Sequence, residues 1–206
     1  MVDVVEPRFE FRSFGQDLSA VGKRMAALTG PVPEAVVMRH SDEIYIISQD
    51  NDVNNTKIRG GKMDIKTLLT TVDGLEQWDP LLKGEFPISV QLLEEQVFPA
   101  LQVAVPAFAQ PDYSLAVFLK LTEDHPELRV VEVHKQRFGY RVNDTICEYA
   151  HVLIDGLKLD TITVESIEIE DIKKTRIDLE LTDLENINYL QAIKRVIGMI
   201  DKPLAN

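Results

Sequence analysis

Hydrophobic and polar residues alternate along several short segments of the chain, which is the pattern of half-buried β-strands. In Pro7–Phe14, Phe9 and Phe11 fall on one face and charged side chains fall on the other. Further segments predicted as strands are Glu34–Arg39, Glu43–Gln49, Thr56–Arg59, Lys62–Leu68, Tyr113–Leu121, Arg129–Tyr140, Thr145–Ile154, Thr161–Glu170 and Arg176–Leu181.

Apolar residues at helical spacing predict three helices, at Asp17–Gly30, Ser89–Val97 and Leu184–Ile200. The Gly60-Gly61 pair predicts a hairpin turn. Short turns between successive strands favour an antiparallel sheet and the α+β class. We expect one domain over residues 1–206, whose two halves meet near residues 103–111, a segment rich in Ala and Pro.

Ionisable residues occupy alternate positions of several predicted strands, where a sandwich core would have Val or Leu. A sheet with one face in water explains each strand taken alone. If the charged faces converge, they enclose a polar barrel interior, in which cations and carboxylates need each other or a charged ligand because burying them unpaired costs several kcal/mol. The repeated pairs are Lys57 with Arg59, Lys62 with Lys66, Lys135 with Arg137, and Glu168 with Glu170.

A triphosphate suits such an interior. Arg and Lys side chains from opposing strands donate charge-assisted hydrogen bonds to phosphoryl oxygens. Carboxylates supply the oxygen ligands that Mg²⁺ or Mn²⁺ prefers, and such an ion bridges phosphates and offsets their charge.

Composition restricts the remaining possibilities. The net charge of −12 argues against a nucleic-acid partner, because the average surface repels a phosphate backbone. The absence of a long apolar run and of a secretory signal, with Cys147 as the single cysteine, predicts a cytoplasmic protein with no membrane partner. The four histidines lack metal-site spacing. The C-terminal helix is expected to pack on the barrel, with a homodimer through it as an alternative.

Several short motifs, in order over residues 6–170, resemble the CYTH superfamily of triphosphate tunnel enzymes, which includes thiamine triphosphatases, inorganic triphosphatases and class IV adenylyl cyclases. Arg8–Arg12 resembles the N-terminal Glu-x-Glu-x-Lys signature, and Asp42–Ile46 resembles the following strand. Lys57–Arg59, Asp64–Lys66 and Lys135–Arg137 resemble the basic strands. Glu148 with Asp155, followed by Glu168 and Glu170, resembles the C-terminal acidic strands.

The resemblance implies an antiparallel eight-stranded β-barrel of the triphosphate tunnel type with helices packed outside. It implies that the ligand is a small-molecule triphosphate or inorganic polyphosphate and that the cofactor is Mg²⁺ or Mn²⁺. The implied catalytic residues are Glu10 and Lys66. The implied phosphate contacts are Arg8, Arg12, Lys57, Arg59, Lys66, Lys135 and Arg137. The implied metal ligands are Glu148, Asp155, Glu168 and Glu170, whereas Glu165 falls on the opposite strand face and is set aside.

Two residues depart from the family pattern, and Arg12 in place of the lysine is the milder change because it retains the charge. Arg8 stands where the signature has its first glutamate. A cation there is expected to strengthen anion binding and to weaken metal-dependent turnover. Three functions therefore stay open: a metal-dependent triphosphatase, a non-catalytic polyphosphate- or nucleotide-binding protein, and, third, a class IV adenylyl cyclase.

Overall fold

The computed structural model describes residues 6–204, and eight of their strands form a closed antiparallel barrel in the order β1-β10-β9-β8-β2-β3-β4-β5. The predicted eight-stranded barrel is therefore confirmed. The barrel strands are β1 (Phe9–Gly15), β2 (Met38–Ser48), β3 (Asn54–Arg59), β4 (Lys62–Val72), β5 (Leu75–Gly84), β8 (Leu128–Val142), β9 (Thr145–Ile154) and β10 (Leu157–Ser166). The short strands β6 (Ile88–Ser89) and β7 (Asp112–Tyr113) pair with each other outside it.

Helices cover the outside of the barrel and close one of its ends. Phe11 and its outward-facing neighbours pack against α1 and α6, and Ile46 and Ile65 belong to a second apolar layer with α4 and α5. The helices are α1 (Ser19–Leu28), α2 (Glu34–Val37), α3 (Val90–Leu92), a π-helical turn (Leu93–Val97), α4 (Phe98–Leu101), α5 (Leu115–Glu123), α6 (Ile169–Asp178) and α7 (Tyr189–Val196).

The barrel interior has an apolar half and a polar half. In the apolar half, inward-facing residues such as Phe14, Ile47 and Val152 are buried against α7. Burial of this continuous apolar surface stabilises the seal, at roughly 25 cal/mol per Å² removed from water. The C-terminal helix thus plugs one end of the barrel, and the polar half is a blind tunnel that opens at the other end.

The predicted strand at Tyr113–Leu121 is wrong, because α5 occupies most of that segment. Ser114 caps the helix, its hydroxyl accepting a hydrogen bond from the backbone N–H of Val117 at 3.4 Å. Phe118 and Thr122, four residues apart, are the buried positions. A continuous apolar run is compatible with a buried strand or with a buried helix, and here the Ser114 cap favours the helix.

Other element predictions need similar corrections. The Arg176–Leu181 strand is wrong, since Arg176 lies in α6; the strand predicted to reach Glu170 ends at Ser166. Glu34–Val37 forms a short helix before one long strand β2, and the C-terminal helix is shorter than predicted. The segment containing Trp78, which has no predicted regular structure, is strand β5.

The hairpin prediction at Gly60-Gly61 is confirmed: both glycines have positive φ, at 57° and 74°, which residues with a Cβ rarely adopt. Residues on both sides of segment 103–111 contribute strands to the one barrel. Within residues 6–204, no helix has the length and apolar character needed to cross a lipid bilayer.

Candidate anion-binding site

The polar half of the barrel encloses a cavity of about 120 Å³. Six of its lining side chains are cationic and four are carboxylates, so the cavity is locally positive in a chain with a net charge of −12. The lining residues are Glu10, Arg12, Glu43, Tyr45, Asn55, Lys57, Arg59, Lys66, Trp78, Lys135, Arg137, Glu148, Glu165, Asn188 and Tyr189.

Arg12 lies deep in the wall of this cavity. Its Nε donates to Glu10 Oε1 at 2.7 Å, while its Nη1 is buried without a hydrogen-bond partner among the described residues. Burial opposes the charge, but the adjacent Glu10 outweighs it and raises the pKa of the guanidinium, so Arg12 is a permanent cation. It therefore has one buried donor that no described residue satisfies.

One carboxylate accepts hydrogen bonds from two lysines at the inner end of the cavity. Glu43 Oε2 accepts from Lys135 Nζ at 2.7 Å and from Lys57 Nζ at 3.1 Å, and the Tyr45 hydroxyl also donates to it at 3.0 Å. Burial opposes ionisation of Glu43, yet the two lysines hold its pKa well below the usual range. Burial lowers the pKa of both lysines, and the single carboxylate of Glu43 only partly offsets this effect. An additional anion would supply the missing charge.

Two arginines share the carboxylate on β9. Glu148 Oε2 accepts from Arg137 Nε and from Arg39 Nη2, each at 2.9 Å. Beside the opening, Arg59 Nη2 donates to Asp64 Oδ2 at 2.8 Å, and the Arg59 side chain is 44% exposed. These carboxylates fix the guanidinium groups and leave some of their donors unused.

Lys66 differs from the other tunnel cations, because its ammonium group forms no ion pair or hydrogen bond with any residue between 6 and 204. It lies on β4, in register with Asn55 of β3. Its charge helps to lower the pKa of Glu10, although burial, which raises that pKa, and Arg12 have larger effects. Lys66 can therefore turn to a ligand without giving up a partner.

Glu10 has a glutamate in register on each neighbouring strand, Glu165 of β10 and Glu76 of β5. Burial and the charge of Glu10 raise the pKa of Glu165. Burial also raises the pKa of Glu76, which accepts from Asn188 Nδ2 at 2.9 Å. Neighbouring carboxyls that compete for ionisation behave as one coupled acid–base group.

The start of the C-terminal helix forms the inner wall of the tunnel. The Tyr189 ring stacks on Tyr45, with centroids 5.4 Å apart, and its face lies 3.7 Å from Lys135 Nζ and 4.9 Å from Arg12 Cζ. Ile187 N–H donates to the Arg12 carbonyl at 2.7 Å, which ties the helix to β1. Helix α7 thus orients two tunnel cations through the ring of Tyr189.

The structure brings together most of the residues predicted from the sequence. The predicted residues that line the cavity are Glu10, Arg12, Lys57, Arg59, Lys66, Lys135, Arg137 and Glu148. Arg8 is separated from them: it precedes β1, its side chain is 43% exposed, and its Nη1 lies 3.8 Å from Glu165 Oε2. Arg8 is therefore a residue of the rim, outside the lining of the cavity.

The expected placement of three predicted metal ligands in the tunnel is wrong. Asp155 lies in the turn between β9 and β10 and lines a surface groove with Glu132. Glu168 precedes α6, and Glu170 lies in its first turn, paired with Lys173 at 2.7 Å and 82% exposed. The strand parity used for the two glutamates does not apply, because β10 ends at Ser166. Glu165 belongs to that strand and lines the tunnel.

Sequence reasoning also missed residues that complete the cavity. Glu43 and Tyr45 share the inward face of β2, so their i, i+2 spacing was a usable signal. Trp78 and Asn55 lie outside the strands predicted from the sequence, and the structure places both on barrel strands. Asn188 and Tyr189 carry no strand-like signal, because they reach the tunnel from a helix.

The tunnel carboxylates do not form a ready-made metal site. Within residues 6–204, no three His, Cys, Asp or Glu side chains come together so that they could hold a metal ion. Glu10, Glu43 and Glu148 already accept hydrogen bonds from cations. A resident Mg²⁺ or Mn²⁺ ion does not fit this donor set, and the predicted cofactor stays untested.

Comparison with known proteins bears on the fold. No family model and no curated protein sequence matches the chain. A putative adenylyl cyclase from Hippeastrum, described as having a dominant triphosphatase activity, aligns over 97% of this chain and 99% of its own, with 11% identity and a TM-score of 0.53. The fold is that of the triphosphate tunnel proteins. A putative adenylate cyclase from Bacillus halodurans aligns over 89% of this chain and 95% of its own, with 12% identity and a TM-score of 0.47.

Proposed function

We propose that the chain binds inorganic triphosphate, or the triphosphate group of a small molecule, inside the blind tunnel. The observation that carries the proposal is the buried Nη1 of Arg12, which lacks a partner among the described residues. A buried unsatisfied donor costs about 1–3 kcal/mol, and more when it is charged. A phosphoryl oxygen is an acceptor of the right charge to remove that cost.

The other cations support the same ligand. Lys66 lines the cavity and has no partner within residues 6–204, and the two lysines on Glu43 share one compensating charge. Arg59 and Arg137 have donors beyond those held by Asp64 and Glu148. A linear triphosphate presents oxygens on several sides and can be contacted from opposing strands at once.

Calorimetric titration with inorganic triphosphate in the presence of EDTA tests the proposal. We expect binding by the unaltered protein and at least about tenfold weaker binding by Lys66→Ala, since a charge-assisted hydrogen bond contributes roughly 1.5–3 kcal/mol. Lys174→Ala removes an exposed lysine of α6 and serves as the matched control, with unchanged affinity. Absence of binding by the unaltered protein, or equal losses in both variants, would contradict the proposal.

Hydrolysis of the triphosphate is the second candidate function. It is favoured by the Glu10–Glu165 pair, because Arg12 overcomes the effect of burial to lower the pKa of Glu10, while burial and Glu10 raise that of Glu165. The substrate would then be the Mg²⁺ or Mn²⁺ complex of triphosphate, which arrives with its own ion. A cyclase reaction ranks third, because the charged lining of the tunnel accounts for phosphates and gives no specific support for an adenine ring. Phosphate and cyclic AMP release from the same protein separates these reactions from binding alone.

A further inference from the structure

A second cavity of about 290 Å³ opens beside the tunnel, and Arg59 lines both. It lies between the β3–β4 hairpin and the end of β5. Its lining residues are Arg59, Lys62, Met63, Asp64, Lys83, Gly84 and Glu85. The two cavities are therefore neighbours along the path that leads out of the tunnel, and we refer to the second one as the rim pocket.

The register of β2 and β3 gives the direction of that path. Tyr45, which stacks on the helix that closes the barrel, is in register with Lys57, and Glu43 is in register with Arg59. Successive inward-facing residues on a strand are about 6.5 Å apart. The cations Lys57 and Arg59 thus lead step by step from the closed end toward the Gly60-Gly61 hairpin and the rim pocket.

The shape of the tunnel forces a longer ligand toward the rim pocket. The inner end is blocked by Tyr45 and Tyr189, both buried, and the tunnel cavity itself is small at about 120 Å³. A phosphate chain anchored on Arg12 and Lys66 cannot extend inward. Any additional phosphoryl group has to pass the opening, where Arg59 is half-exposed and holds Asp64 through a single nitrogen.

The rim pocket carries cations that are available to such a group. The ammonium group of Lys83 has no ion pair or hydrogen bond within the described part of the chain. Lys62 pairs with Glu85 at 2.6 Å, but these side chains are 61% and 77% exposed, and exposed pairs of this kind are weak. Lys83 and Lys62 can therefore exchange water or a weak partner for a phosphoryl oxygen.

We propose that the rim pocket binds a fourth phosphoryl group, attached to the triphosphate in the tunnel, through Arg59, Lys83 and Lys62. This inference rests on the proposed function and specifies its ligand as a chain of four phosphates, either free or esterified. The acidic surface sets an upper limit on the length, because a chain that runs beyond the rim meets a protein with a net charge of −12.

Calorimetry at low ionic strength with inorganic triphosphate, inorganic tetraphosphate and long-chain polyphosphate tests the inference. We expect tetraphosphate to bind about threefold to tenfold more tightly than triphosphate, in line with one or two exposed charge contacts. Long-chain polyphosphate, with its affinity calculated per chain end, should bind no more tightly than tetraphosphate. Adenosine 5′-tetraphosphate compared with ATP separates an esterified chain from a free one.

Two variants test which residues cause the preference for tetraphosphate over triphosphate. Lys83→Ala should remove most of the tetraphosphate advantage and leave triphosphate affinity unchanged, whereas Lys66→Ala should weaken both ligands by the same factor. Equal affinity of the unaltered protein for three and four phosphates would overturn the rim pocket while leaving the proposed function intact. Failure of every phosphate chain to bind would overturn both. A Lys83→Ala loss that is equal for triphosphate and tetraphosphate would also reject the specific role of the rim.

Discussion

At the scale of single residues, the main property of the site is that its charges are unequally compensated. Glu43 and Glu148 each hold two cations, Lys66 has no partner among the described residues, and Arg12 has an unused buried donor. A fully compensated interior would be a structural network with no capacity for a ligand. The residual positive charge supports the proposal that these residues bind an anion.

Glu165 gives this site a predicted pH dependence. Burial and Glu10 raise its pKa, so the carboxyl takes up a proton as the pH falls through a value above the ordinary one. Loss of that negative charge strengthens anion binding. We expect Glu165→Gln to bind triphosphate about threefold to tenfold more tightly at pH 8, since a full charge a few ångströms away interacts by roughly 1 kcal/mol when water screens it.

Titrations from pH 5.5 to 8.5 check this expectation. The affinity ratio between the variant and the unaltered protein should shrink toward one as the pH falls and Glu165 takes up a proton. Protonation of the triphosphate is common to both proteins and cancels in the ratio. Glu170→Gln, an exposed change in α6, is the control. A ratio that does not vary with pH would assign the titration to another group.

Residue-level prediction succeeded where strand parity was counted from the correct register. Glu10 and Arg12 were placed on the inward face because two phenylalanines mark the outward one. Glu165 was set aside because its parity was compared with that of Glu168 and Glu170, residues that lie beyond the end of the strand. Alternation assigns faces only within one uninterrupted strand.

At the scale of elements, the C-terminal helix has a role that its sequence did not reveal. Its apolar stripe correctly predicted packing on the barrel, but α7 packs into one end, and its first residue forms the tunnel wall. Strand β5 was missed for a related reason: Trp78 and the neighbouring proline obscured the alternation, and the ladder with β4 contains bulges. Tertiary contacts determine the structure and position of such segments.

The contact between Tyr189 and Lys135 leads to a prediction about α7. Tyr189→Leu keeps an apolar plug but removes the ring face that lies 3.7 Å from Lys135 Nζ. We expect about threefold weaker triphosphate binding, because a partly desolvated cation–π contact contributes roughly 1 kcal/mol. Tyr189→Phe retains the ring and should bind normally. Calorimetry combined with urea unfolding separates loss of affinity from loss of fold. Normal triphosphate binding by folded Tyr189→Leu would mean that α7 only closes the barrel and does not contribute to binding.

At the scale of the whole molecule, the strand pairs that form the barrel differ in how many residues they pair. Sequence pattern predicted strands and an antiparallel sheet, whereas closure was expected from family resemblance, because alternation does not say which edge strands meet. The closing seam joins β1 to β5 at Phe9↔Gln77 and Glu10↔Glu76. By contrast, β2 pairs with β8 from Met38 to Ser48. Few backbone pairs make the β1–β5 seam the expected place for local opening.

A bound triphosphate should lock this seam, because Arg12 on β1 and Lys66 on β4 lie on either side of β5. Hydrogen exchange measured by mass spectrometry is expected to be faster in β1 and β5 than in the β8–β9 ladder of the free protein. Triphosphate at 100 times its Kd should slow the seam by up to about a hundredfold, equivalent to roughly 2.7 kcal/mol, if opening releases the ligand. Lys66→Ala at the same concentration should show less slowing. Uniform slowing of all strands would instead mean that the barrel opens as one unit, in which case the anion stabilises the entire fold without selecting the seam.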